Sequence, residues 1–275
     1  MVRFSIDESL CVKCGLCVKD CPKRIIQLNE FPTINNEDDC ARCQHCFAVC
    51  PKGAISILGV FSQEVRDLKG NLPSAAQLTT LMKGRRSVRS YLQQNLPKEV
   101  ISELIETAWH APTGTNSQQV LATVVDDIAI LQKLRSEVYQ ILAEAVEKGT
   151  LPRNLEGNML RKASQMWVEN KTDLIFRNAP HFLVSSVPQG VPCPTVDVHV
   201  FMSYFELIAQ AKGVGTLWNG TIKHCMDFFP EFRKRLGIPE DHNIGYTMSF
   251  GKPAVQYRRT VMRGPAHINV VGESA

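Results

Sequence analysis

The first fifty residues contain one phrase written twice: Cys11, Cys14, Cys17 and Cys21-Pro22, then Cys40, Cys43, Cys46 and Cys50-Pro51. Eight of the ten cysteines belong to it, and each member of the second copy stands 29 positions after its counterpart. The flanks repeat at the same offset, Lys23 answering Lys52, Ile26 answering Ile55 and Leu28 answering Ile57. Such a duplication implies two similar units related by a pseudo-twofold axis. It also constrains the fold severely. A stretch of roughly 58 residues this poor in large apolar side chains cannot bury enough surface to be stable unaided, so its thiols must help to tie it together.

Tetrahedral zinc takes its cysteines in C-x2-C pairs, not in quartets that end in proline. Disulfides need an oxidising compartment, whereas Met1 to Asp7 holds no apolar signal core, so the chain is expected in the reducing cytoplasm. Three thiolates spaced by two residues can instead wrap one face of a metal-sulfur cube from a tight loop whose backbone N–H groups point at the sulfurs. The fourth ligand cannot come from the same loop. The C-x2-C-x2-C-x3-C-P run resembles that of the two-cluster bacterial ferredoxins. In that pattern the last cysteine of each run crosses to the other cluster. The resemblance therefore implies two 4Fe–4S clusters, one on Cys11, Cys14, Cys17 and Cys50, the other on Cys40, Cys43, Cys46 and Cys21.

Composition bounds the remainder. At 275 residues, 44% hydrophobic and 21% charged, the chain has room for one small and one medium domain. No apolar run has the length of a membrane span. The formal charge is +4, which two clusters of about −2 each would cancel. With no Lys/Arg tract either, neither a nucleic-acid nor a membrane partner is expected.

We expect domains at 1–58 and 75–275, joined by a linker at 59–74 whose "GVFSQEVRDLKGNLPS" mixes glycine, proline and charge without periodicity. Ser74 has the chemistry to cap a helix running through Leu78, Leu81 and Met82 to Gly84. A second helix opens at Pro97, carries Val100, Ile101, Leu104, Ile105 and Ala108 at helical spacing, and stops at Pro112. Strands are predicted at Leu121–Val125, Phe182–Val187, Gly215–Trp218 and Ile244–Phe250. Helices are predicted at Asp127–Lys148, within 150–172, at Val196–Ala211 (apolar nearly all round, hence buried on most faces) and around Pro230–Leu236. The last 25 residues carry no element. The sum is an α+β domain around a central sheet.

Three segments of this domain carry chemistry. In "GRRSVRSY", Arg85, Ser87 and Arg89 alternate along an extended stretch, so that two guanidiniums and a hydroxyl face one way, as a phosphate would need. "APTGTNSQQ", Ala111 to Gln119, combines small residues that admit close backbone approach with amides that donate and accept at once. "GVGTLWNG" is a strand bracketed by glycines. It is no dinucleotide fingerprint, because no G-x-G-x-x-G opens a helix in this chain.

Together and in this order the three segments resemble the nitroreductase family of FMN enzymes, over about residues 75–275. The resemblance implies an α+β sandwich with a central, mostly antiparallel sheet, in an interlocked homodimer whose two FMN sites are built from both chains. Arg85, Ser87 and Arg89 then look like the phosphate, ribityl and pyrimidine-edge contacts. Pro112, Thr113, Gly114 and Asn116 look like the loop presented by the partner subunit. Leu217, Trp218, Asn219 and Gly220 look like the strand beneath the flavin ring, with Asn219 where family members often have an acid. Arg258 and Arg259, in the late basic "QYRRTVMR", resemble further phosphate ligands.

The two halves combined imply a reductase in which clusters relay single electrons to FMN, which reduces a small oxidised acceptor such as a nitroaromatic, quinone or activated alkene. Reduced ferredoxin or NAD(P)H would be the donor. The alternative is an electron carrier or hub between redox proteins, with nitro reduction incidental. Cys193 and Cys225 stand apart from either run and read as ordinary residues. Met159, Met166 and Trp167 suit a substrate cleft or plain packing equally.

Overall fold

The computed structural model describes residues 2–272. The chain divides into two compact units at Ser74/Ala75.

The first unit holds β1 (Ser5–Ile6), α1 (Leu16–Lys19), β2 (Ile26–Leu28), β3 (Pro32–Ile34), α2 (His45–Ala48) and β4 (Ile55–Ser56). Strand β1 pairs with β4 and β2 with β3, both antiparallel. The single helical turns α1 and α2 occupy equivalent places in the two copies. Each is entered through a left-handed residue, Gly15 (φ 70°) and Gln44 (φ 59°), so the duplication extends to backbone conformation even where the side chains differ. Val2, Ile25, Ile26, Ile55 and Ile57 are buried together with Cys17 and Cys46. That small core confirms how little apolar surface this unit has to work with.

The second unit runs α3 (Ala75–Gly84), α4 (Lys98–Ala108), β5 (Leu121–Val125), α5 (Ile128–Glu147), α6 (Leu155–Asn170), β6 (His181–Pro188), α7 (Pro194–Ala211), β7 (Gly215–Trp218), α8 (Gly220–Phe228), α9 (Pro230–Arg235) and β8 (His242–Gly251). Its sheet is antiparallel throughout, in the order β5-β6-β8-β7. Alternation along β6 sorts the core. Phe182 and Val184 face the layer of α5, α6, α8 and α9, while Leu183 and Val187 face α4 and α7. Helices thus cover both faces. Among the described residues no helix is long and apolar enough to cross a membrane.

The ends of α5 are locally encoded. The Asp127 carboxylate accepts from Ala129 N and Ile130 N at 2.8 and 3.1 Å, and Gly149 follows the helix with φ +64°. Three expectations are corrected. Helix α4 stops at Ala108, short of Pro112: Trp109 caps it, and the His110 and Ala111 N–H groups bond to Thr107 O and Ala108 O in tighter turns. Helix α8 was not foreseen, although Ile222, Cys225 and Met226 are buried at helical spacing. Helix α7 is buried on one side only: Val198, Phe201, Met202, Phe205 and Ala209 face inward, while Val196 and Tyr204 remain exposed in this chain. As expected, the described part of the last segment, 252–272, has no helix or strand.

His181, at the start of β6, is fully buried, and its Nε2 accepts from Leu96 N at 3.0 Å. Burial holds its pKa below the ordinary 6.5, against the pull of the Val125 carbonyl and of Asp126 and Asp127. The unfolded chain takes up a proton below about 6.5 that the folded chain refuses, so stability present above that pH is lost as the pH falls. Denaturant titrations from pH 8 to pH 5 should show this decline, and His181→Gln, whose amide oxygen can still accept from Leu96, should flatten it. An equal slope in both proteins would contradict the assignment.

Candidate functional site

Two small cavities lie in the first unit. Cys21, Cys40, Cys43 and Cys46 line one; Cys11, Cys14, Cys17 and Cys50 line the other. Each quartet draws three sulfurs from one copy of the duplication and the fourth from the other. Backbone amides point at the sulfurs: Arg42 N donates to Cys40 Sγ at 3.4 Å and Ala54 N to Cys50 Sγ at 3.3 Å. Burial pushes the Cys46 thiol up to about 11 and raises Cys17 as well, each opposed in part by a backbone N–H. Thiolates here therefore need a positive counterpart. Among the described residues no three His, Cys, Asp or Glu side chains converge closely enough to hold a single ion. An all-sulfur donor set spread around an apolar hollow fits a cluster of several atoms.

In the second unit the "GRRSVRSY" stretch lies along the outer edge of β7. Ser87 bridges Thr216 in parallel register and Val88 N donates to Thr216 O at 2.8 Å. Gly215 permits this approach, since a Cβ there would lie 2.7 Å from Val88 Cγ2 and 2.9 Å from Pro253 Cγ. Arg85 Nη1 is 3.0 Å from Glu206 Oε1 on α7, and Thr216 Oγ1 donates to the same oxygen at 3.4 Å. One edge of the Arg85 guanidinium is thereby committed, and its plane is fixed. Arg89 Nη1 donates to Ser87 O at 3.3 Å. Arg258 and Arg259 line an open cleft with Gln77, Thr80 and Gly84 of α3 and Gln210 of α7. No acidic side chain lines this cleft, so its charge suits an anion.

Trp218 stacks near His199 at 6.0 Å, with 12° between the rings. Asn219 is buried with its side chain turned inward. Its amide donates to Ile175 O and Ser249 Oγ, both at 2.8 Å, and accepts from Ile222 N at the head of α8. Its main chain is held by Thr247, which accepts from Asn219 N at 2.9 Å and donates through its hydroxyl to Asn219 O. Side chain and main-chain N–H are thus both committed within the chain, and the position acts as a rigid support at the end of β7.

The Pro112–Asn116 loop is tied to the other end of α7. Gly114 N donates to the buried Asp197 Oδ1 at 2.8 Å, and Gln118 N donates to Thr113 Oγ1 at 3.0 Å. Thr115, Asn116 and Gln118 all have positive φ, between 46° and 58°, a conformation unfavourable for such residues unless the surroundings enforce it. Asp197 and Glu206 are nine positions apart on one helix, so loop and arginines are held roughly 13 Å apart along its axis. Within one chain the structure does not bring these two groups together. Asp197 and Glu206 were invisible in the sequence, because a carboxylate in an apolar helix has no local signature of what it bonds. Replacing Asp197 by Ala is expected to cost ~1–3 kcal/mol of local stability and to speed hydrogen exchange at the Gly114 amide about tenfold or more. Unchanged exchange would remove the tether from consideration.

Behind the site lies a buried charge. The Asp173 carboxylate accepts from Tyr139 Oη, Ile175 N, Phe176 N and Asn178 N at 2.8–3.1 Å. Arg135 Nε lies 3.0 Å from Asp173 Oδ2, though poorly aligned for a hydrogen bond. Trp167 stacks on Tyr139 at 4.2 Å, so it serves packing. Cys225 is fully buried in the same core, and burial raises its thiol pKa.

A model described as the nitroreductase family matches residues 82–252, and one described as a 4Fe-4S dicluster domain matches residues 10–55. Iodotyrosine deiodinase of Thermotoga neapolitana is 23% identical over 180 residues, which cover 64% of this chain and 88% of that protein. A 4-nitrobenzoate reductase of Nocardioides sp. is 24% identical over 212 residues, covering 68% and 84%. A nitroreductase from Bacteroides fragilis, solved with bound FMN, superposes with a TM-score of 0.56 at 22% identity, over 70% of this chain and 99% of that one. At that identity the likeness concerns the fold.

Proposed function

The chain belongs to the nitroreductase family and carries a 4Fe-4S ferredoxin-type domain ahead of it; from this premise we propose that it is a flavin oxidoreductase fed by two clusters. The oxidoreductase class follows from the family. In our reading Cys11, Cys14, Cys17 and Cys50 hold one cluster and Cys21, Cys40, Cys43 and Cys46 the other. FMN is held by Arg85, Ser87, Arg89, Leu217, Trp218, Asn219, Gly220, Arg258 and Arg259 of one chain and by Pro112, Thr113, Gly114 and Asn116 of a second. When bound, the clusters supply one-electron transfer and the flavin accepts two electrons and passes them to a nitroaromatic, quinone or activated alkene.

One observation carries the two-cluster reading: two equivalent cavities, each lined by four cysteines drawn from both copies of the duplication. The homodimer is supported by the separation of the loop and the arginines along α7, and by the exposed apolar side chains of that helix. Within the site the residues have distinct tasks. Glu206 and Thr216 orient Arg85. The acid-free arginine cleft receives a phosphate. Asn219, immobilised through its side chain and its main chain, fixes the end of β7 that supports the ring.

The test is anaerobic. The purified protein should contain about eight iron atoms and one FMN per chain, and its cluster and flavin absorbance is followed as NADH, NADPH and reduced ferredoxin are added in turn. Flavin reduction by NADPH at full rate in Cys14→Ala/Cys43→Ala would end the idea that clusters feed the flavin. Protein that neither contains nor takes up FMN would end the flavin assignment.

A further inference from the structure

The duplication of the first unit supplies its own control, because positions 29 apart would be expected to look alike. Around the two cavities they do not. On the side of Cys11, Cys14, Cys17 and Cys50 four apolar side chains are exposed: Val12 (56%) and Leu16 (38%), which line the cavity, Leu10 (39%), which adjoins Cys11 in sequence, and Leu28 (40%). Their counterparts in the other copy are Asp39, Ala41, His45 and Ile57, and Ile57 is buried. Cys14 is itself exposed, whereas its counterpart Cys43 is partly covered. Leu28 Cδ2 lies 3.9 Å from where a Gly15 Cβ would stand, and Val12 and Leu16 line the cavity beside Lys13 and Lys52. Lys13 Nζ is held 4.2 Å above the Phe31 ring. No acidic side chain lines either cavity, so the two differ in apolar exposure and not in acidity.

Exposed leucines and valine cost solubility unless something covers them. Here they surround the exposed cysteine of an electron-transfer site, flanked by two lysines. From this we propose that the Cys11/Cys14/Cys17/Cys50 face is where electrons enter, by docking of a small, acidic one-electron carrier protein whose apolar contact patch covers Leu10, Val12, Leu16 and Leu28. The proposal rests on the cluster reading above and adds which of the two sites meets the donor. In each encounter one electron leaves the reduced carrier and enters this chain; no bond forms or breaks and no proton moves. Apolar contact supplies the short-lived fit, and Lys13 and Lys52 attract the acidic surface from a distance, which makes the encounter salt-dependent.

The test compares Leu28→Glu with Arg42→Glu, neither residue lining a cavity, in the cluster- and flavin-loaded protein. The probe is a small acidic bacterial ferredoxin. Two quantities are read: its dissociation constant at low ionic strength by calorimetry, and the rate at which the reduced probe reduces this protein in stopped flow, with dithionite alone as the small-reductant reference. The first variant should weaken binding and slow probe-driven reduction tenfold or more, with the dithionite rate and iron content unchanged. The second should change either by less than twofold. Leu10→Glu, also outside the cavity lining, replaces the first variant if that one fails to fill with iron. Equal losses in both, a larger loss in the second, or no measurable binding to wild type would overturn the proposal. So would concentration-dependent self-association abolished by Leu28→Glu, since the rim would then belong to a second copy. A wild-type protein bleached by dithionite but blind to the probe defeats docking alone. Absence of iron defeats the cluster reading with it.

Discussion

Stripping the iron from this protein should unfold residues before 75 and leave those after it folded. Among the described residues the large apolar side chains buried in the first unit beside its cysteines are Val2, Ile25, Ile26, Ile55 and Ile57, and in a fold this small the free energy of metal binding is the free energy of folding. Burial disfavours the Cys17 and Cys46 thiolates, as their raised pKa values indicate, so these ligands carry charge only when metal compensates it. Anaerobic treatment with a chelator and oxidant, followed by limited trypsin digestion, should produce rapid cuts at Lys13, Lys19 and Arg42 and leave a resistant fragment that starts near Ala75. The second unit keeps its cores on both faces of the sheet. An iron-free protein in which Lys13 and Arg42 stay protected would show that the clusters are passengers rather than the framework.

The second large effect is expected at Asp173→Ala. This substitution strips four donors of their acceptor and strands the Arg135 guanidinium inside the protein. Breaking a buried pair from one side costs ~3–5 kcal/mol, or a fall in Tm of about 10 °C in a domain of this size. Most of that cost is the orphaned charge, so adding Arg135→Met should restore part of the loss. A double variant less stable than Asp173→Ala alone would instead place the value in the pair itself. Because Asn219 bonds to Ile175 O within the segment that Asp173 organises, the single variant should also loosen the end of β7.

The difference between what could and could not be read lies in sequence distance. Helix α5 was legible end to end, because its start depends on Asp127 and its stop on Gly149, each a neighbour of the element it bounds. Strand β5 followed from a β-branched run, and β7 from its flanking glycines. The two cysteine runs were legible because the spacing of the thiols is itself the pattern, whereas the crossing of Cys21 and Cys50 was implied only by the ferredoxin resemblance. Helix α8 was hidden by that same glycine signal at Gly220, which drew attention to the strand before it. Asp173 and Arg135 are 38 positions apart, and Gly114 and Asp197 are 83 apart. No local pattern links either pair; only the packed sheet and helices bring them within bonding distance. Arg85 shows a third case: its place in an alternating stretch was visible, but its engagement with Glu206 belongs to tertiary structure.

The single rung between Ser87 and Thr216 bears on how this protein survives in a crowded cell. Strand β7 is an outermost strand, and the unpaired edge of such a strand is a template for pairing with other chains. Here that edge is capped by the stretch that carries Arg85 and Arg89, admitted only because Gly215 has no side chain. The segment that would grip a phosphate is thus also the guard against fibre-like association. Gly215→Val should therefore first be noticed as protein lost to inclusion bodies, before any assay of turnover is run.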